Sequence, residues 1–106
     1  MVKKTKTKRN VETVIAGHQK WTFLSHHAHI LICLHRDPTV RIRDLAFNVG
    51  ITERAIMGNI QDLESAGIIV RTKEGRRNEY KINKDIPLRH KLKSNKTVGD
   101  LLRLFR

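Results

Sequence analysis

Arg43-Asp44-Leu45-Ala46-Phe47-Asn48-Val49-Gly50-Ile51-Thr52-Glu53-Arg54-Ala55-Ile56 is the stretch on which the fold turns. Leu45, Ala46 and Val49 share one side of a brief helix over 43–49. Gly50 follows its last turn, where a left-handed residue ends a helix at little steric cost. Ile51 plugs the angle that follows. Thr52 is an N-cap residue, and Glu53 sits at the positive end of the next helix. The small Ala46 in mid-face lets two short helices cross steeply around a shared core. The second runs to about Ala66 and closes with Gly67; Ile56, Ile60 and Leu63 lie together on its inner side.

Outward from this pair, residues 21–36 also have helical periodicity. Leu24, His27, Ala28, Leu31, Leu34 and His35 fall on one face, with Ser25 or Thr22 as N-cap. Asp37-Pro38 stops that helix, because the residue before proline is pushed out of the α region. Residues 39–42 read as a short extended piece. After Gly67 the period changes. Two β-type runs, 68–72 and 78–82, are joined by a loop containing Gly75 and predict a hairpin with Ile68, Val70, Tyr80 and Ile82 on its inner face. Tyr80 and Phe47 are expected to be buried or half-buried. Helix, short strand, helix, tight turn, helix and hairpin is the winged helix-turn-helix layout: mainly α with a small β wing. The domain spans 21–86. A basic arm, 1–20, precedes it, and 87–106 is a basic linker followed by a short apolar helix.

The chain resembles the MarR-like winged-helix transcriptional regulators. The resemblance rests on Trp21-Thr22-Phe23-Leu24, the turn Val49-Gly50-Ile51-Thr52-Glu53-Arg54-Ala55, the helix end Leu63-Glu64-Ser65-Ala66-Gly67 and a wing with Glu74-Gly75-Arg76-Arg77-Asn78-Glu79-Tyr80. It covers roughly 21–104 and extends to Pro87-Leu88-Arg89-His90. It implies binding to double-stranded DNA, usually by a homodimer.

Charge points the same way. Over 106 residues, 22 Lys and Arg stand against 10 Asp and Glu, a formal net charge of +12, the footprint of a nucleic-acid binder. A basic chain also adheres to anionic membranes, so charge by itself does not name the partner. The outer face of the third helix carries Arg54, Gly58, Gln61 and Ser65, with Met57 at its margin. Arg54 suits a bidentate pair with guanine and Gln61 one with adenine. Gly58 either marks where the helix meets the groove or is simply a weak helix position. Because this helix has Arg54 against Glu53, Asp62 and Glu64, affinity has to come largely from elsewhere: from the wing and its flanks, or from the basic arm 1–20, whose other reading is a solubilising tail. The wing and its flanks hold Arg71, Lys73, Arg76, Arg77, Lys81 and Lys84 against Glu74 and Glu79. Arg76-Arg77 suits a phosphate clamp or minor-groove insertion. The expected DNA interface is Arg43, Thr52, Glu53, Arg54, Met57, Gly58, Gln61, Arg71, Lys73, Arg76, Arg77 and Asn78.

His26, His29 and Cys33 project from the side of the first helix opposite its core stripe. They are candidate zinc ligands that would need His18 or a partner subunit as the fourth. The other reading is a polar face with a packed thiol, no metal and no cofactor. His27 and His35 lie on the core side. A lone cysteine excludes an internal disulfide and fits a reducing cytoplasm. No apolar run is long enough for a membrane span, and the basic start lacks the apolar stretch of a secretion signal. No phosphate-cradling loop, nucleophile–base pair or paired carboxylates suggest an enzyme.

Two other functions compete. An RNA- or ribosome-associated winged helix would also be basic, but RNA readers usually stack bases on exposed aromatics, and aromatics are 5% here. A protein-interaction winged helix is disfavoured by the charge. Finally, Val98, Leu101, Leu102 and Phe105 form an apolar stripe on a helix too short to stand alone. It docks either on its own domain or on a twin. The polar linker favours the twin, with the outward Ile32 and Cys33 as the receiving surface.

Overall fold

The computed structural model describes residues 21–90 and 95–105; the basic arm 1–20 lies outside the described residues. The elements run α1 (His26–Arg36), α2 (Ile42–Val49), α3 (Glu53–Ser65), β1 (Ile69–Glu74), β2 (Arg77–Ile82) and α4 (Val98–Leu102). Three helices followed by an antiparallel hairpin make this a winged helix-turn-helix fold.

Helix α1 starts later than the periodicity over 21–36 predicts. Ser25 is its N-cap, and its hydroxyl accepts from the Ala28 N–H at 3.2 Å. With Leu24 left outside, the inward stripe rotates to Ile30, Leu31 and Leu34. Ile30, absent from the expected stripe, is wholly buried. His27 and His35 are half-buried, and His27 Nε2 meets Asp62 Oδ2 at 2.9 Å across to α3. Ile32 and Cys33, expected to face outward, are partly buried against the core. That surface is therefore already covered in large part by the domain itself.

Residues 39–42 are not a strand. Asp37 accepts from both the backbone and the hydroxyl of Thr39 at 3.1 Å, which bends the chain into a turn, and α2 begins at Ile42. One backbone bond ties this turn to the hairpin, from the Tyr80 N–H to the Pro38 carbonyl at 2.9 Å.

The turn between α2 and α3 forms as its residues require. Gly50 sits at φ +86°, and the Thr52 hydroxyl accepts from the Ala55 N–H at 3.0 Å. Leu45 and Ala46 of α2 pack with Ile56, Ile60 and Leu63 of α3 in the buried cluster. Phe47 departs from expectation: it is 85% exposed. An eight-residue helix buries only one narrow stripe, and Phe47 lies nearly opposite it.

Gly67, at φ +75°, ends α3. Its N–H bonds to the Glu64 carbonyl and that of Ile68 to the Leu63 carbonyl, the paired arrangement that satisfies the last carbonyls of a helix. This exit corrects the expected faces of the wing. Ile68 is buried as part of the helix end, so strand alternation starts one residue later. Ile69 is then buried and Val70 is 56% exposed, because a shift of one residue sends every side chain to the other face. Ile69 pairs with Ile82, and Arg71 with Tyr80; Glu74 pairs with Arg77, leaving Gly75 and Arg76 as the turn.

The C-terminal segment does not stand off. Pro87 and Thr97 form an antiparallel bridge, the Val98 N–H donates to the Ile86 carbonyl at 2.8 Å and the Gly99 N–H to the Lys84 carbonyl at 2.9 Å. A Cβ on Gly99 would lie 3.0 Å from the Lys84 Cβ, so glycine is what permits this approach. Thr97 and Asp100 form a reciprocal capping box on α4. Val98 and Leu102 are buried in the domain's own core. The dimerisation helix expected over 87–106 thus spends Val98 and Leu102 internally; each finds a covered site within its own chain, where no association cost opposes burial.

Candidate nucleic-acid interface

The inward stripe of α3 fixes what the helix presents outside. With Ile56, Ile60 and Leu63 held in the core, Arg54, Met57, Gly58 and Gln61 are exposed. They line a hollow of about 410 Å³ together with Arg71 and Glu64. Thr52 and Glu53 stand at the positive N-terminal end of α3, both exposed; the Thr52 oxygen is occupied by the cap, which leaves its hydroxyl proton free to donate. Arg43 is exposed on α2.

Arg71 is not a free cation. Its Nε lies 3.1 Å from Glu64 Oε2, so it ties β1 to α3 and part of its charge is answered within the domain. A partly exposed pair of this kind contributes at most about 1 kcal/mol. Its more useful effect is to hold wing and helix in one relative position.

The wing tip has a second hollow, about 310 Å³, bounded by Thr39, Arg41, Arg76, Arg77, Asn78 and Tyr80 among others. Arg77 donates from Nη2 to the Thr39 carbonyl at 2.5 Å. One end of this guanidinium therefore braces the wing against the turn between α1 and α2. Arg76 and Lys73 are exposed and Asn78 is half-buried. Arg41, exposed before α2, was missed as a site residue. Its only sequence signal was being basic next to a helix start. Nothing local placed it beside residues 35 positions further along.

A roomier hollow of about 680 Å³ lies between the start of α1, the end of α3 and the C-terminal segment. Ser65, from the outer face expected of α3, contributes to its lining, but Arg54, Gly58, Gln61 and the basic wing residues do not.

The candidate zinc set does not assemble. The rings of His26 and His29 are 6.5 Å apart, and among the described residues no group of three His, Cys, Asp or Glu side chains could hold a metal ion. His18 lies outside the described residues. Burial, with His26 nearby, holds the His29 imidazole below its usual pKa. Burial pushes the Cys33 thiol up, away from the thiolate that binds metals.

Residues 26–70 match a winged helix-turn-helix DNA-binding family. The match begins at the first residue of α1 and ends just inside β1, so it takes in all three helices and the outward face of α3. It stops short of the wing tip. No curated protein matches the chain. Among the described residues, no helix is long and apolar enough to cross a membrane.

Proposed function

We propose that this chain is a transcriptional regulator of the MarR-like kind that seats α3 in the major groove of double-stranded DNA and sets its wing on the sugar-phosphate backbone or in the minor groove. The observation that carries the reading is the family match over 26–70, which covers the exposed Arg54 and Gln61. Arg54 and Gln61 read base edges. Arg43, Lys73, Arg76 and Arg41 supply the sequence-independent attraction. No step in this role calls for catalysis, a metal or a cofactor. Acting as a pair, two chains would set their α3 helices about one DNA turn, roughly 34 Å, apart; light scattering with and without duplex tests this.

Titrating a labelled duplex at several salt concentrations tests the reading. Binding weakens steeply with salt, and Arg76→Ala lowers affinity for all sequences and flattens the salt dependence by about one unit of slope. Arg54→Ala instead costs about 1–3 kcal/mol on the preferred site and little on random duplex. Equal losses on both would mean that Arg54 touches phosphate rather than a base.

One observation favours RNA as a second reading. Phe47 and Phe23 are 85% and 92% exposed, and Trp21 is 66% exposed, with Trp21 and Phe23 packed edge to face at 5.0 Å. Such rings suit stacking on unpaired bases. Single-stranded RNA that displaces duplex DNA at equal concentration, with the loss of that effect in Phe23→Ala, would favour it.

A further inference from the structure

Gly58 sits in the middle of α3, where glycine is a poor choice. It lowers helix stability by about 1 kcal/mol relative to alanine. Three things inside a protein can require a glycine, and none applies here. Its backbone is not left-handed: the positive-φ glycines are Gly50, Gly67 and Gly75. It caps no helix end, since α3 continues to Ser65. Nothing in the described chain presses on it either, because a Cβ built at Gly58 meets no atom within 4 Å. Gly99 is the counter-example: there a Cβ would meet both the side chain and the carbonyl of Lys84.

The fold therefore gives no account of Gly58, yet its location is specific. It lines the same hollow as Arg54, four residues before it, and Gln61, three residues after it, so all three share the outward face of α3. A missing side chain between two base-reading candidates leaves the helix backbone bare where the double helix would come nearest.

We propose that Gly58 is the point of closest approach between the α3 backbone and DNA, and that its missing side chain sets how deeply the helix seats between Arg54 and Gln61. This rests on the DNA-binding reading above. A methyl group there would hold the helix away from the groove and lengthen the contacts of both neighbours. Because no charge is involved, the salt dependence would not change.

The test uses the full chain with Gly58→Ala and Gly58→Leu, both good helix formers. Thermal melts are compared with binding to a duplex of about 20 base pairs, enriched from a random pool by the unmodified protein. Gly58→Ala raises the melting midpoint by about 4–8 °C while weakening binding about tenfold. Gly58→Leu weakens it further, and both keep the salt slope of the unmodified chain. Unchanged affinity in both variants overturns the proposal and leaves the DNA reading intact. A lower melting midpoint in Gly58→Ala also overturns it, since the fold itself would then need the glycine. If the unmodified chain binds no duplex at all, the DNA reading fails and this inference falls with it.

Discussion

The helix-turn-helix pair and the C-terminal segment both bury apolar residues in one core, yet they come to it by different means. In α2 and α3 the determinants lie within a few residues of one another: Gly50 in the left-handed region, Thr52 as cap, then Ile56, Ile60 and Leu63 at helical spacing. Each local preference agrees with the final structure. The segment 95–105 has an equally clear local plan, with Thr97 and Asp100 capping five helical residues. Its place, however, is decided by partners far along the chain: Lys84 and Ile86 for its backbone and α1 for its apolar face. Local signals specify that a helix forms. They do not specify what it packs against.

This contrast can be broken most directly by removing the segment. A chain ending at Lys96 loses Val98 and Leu102, each no more than 2% exposed, and is expected to be less stable by about 3–6 kcal/mol. Urea unfolding of the two chains measures it. An unchanged midpoint would return the helix to the role of a detachable arm. The same two samples in light scattering show whether any dimer depends on the segment.

A smaller effect sharpens the comparison. Thr52 and Thr97 make the same cap on α3 and α4, each hydroxyl accepting a backbone N–H. Replacing either with alanine is expected to cost about 1 kcal/mol. They should differ in where the loss appears. In native-state hydrogen exchange, Thr97→Ala opens the C-terminal segment locally, whereas Thr52→Ala lowers protection throughout the core. Identical exchange patterns would mean that both regions unfold as one unit.

The smallest effect is one of pH. The Thr97 N–H bonds to Asp100 and, with the Thr97 hydroxyl, Arg103 and Lys96 adding to it, holds the carboxyl below its usual pKa. A carboxylate with a lowered folded-state pKa adds stability above its unfolded value. That stability is lost as pH falls through the folded one. Protection of the 97–102 amides should therefore decline in acid, starting below about pH 4. Asp100→Asn should remove that pH dependence, and a decline of equal size in the variant would assign it to another group.

Much of the candidate interface was legible because helical geometry is rigid. Once Ile56, Ile60 and Leu63 are known to face inward, Arg54, Met57, Gly58 and Gln61 must face outward, and they do. The wing was harder. Its basic residues were recognisable, but the pairing of Arg71 with Glu64 and of Arg77 with the Thr39 carbonyl depends on how the hairpin lies against the helices. Arg41 entered the wing hollow for the same reason.

The sequence by itself determined the three helices, the turn at Gly50, the hairpin at Gly75, the inward stripe of α3 and the excess of positive charge. Each of these follows from residues less than two helical turns apart, or from composition. Tertiary structure alone decided that Ile69 rather than Val70 faces the core and that α4 packs on its own domain. These outcomes depend on which surfaces meet. A strand's faces exchange with a single-residue shift at the exit from α3, and a short apolar helix is held by whichever covered site lies within reach of its chain.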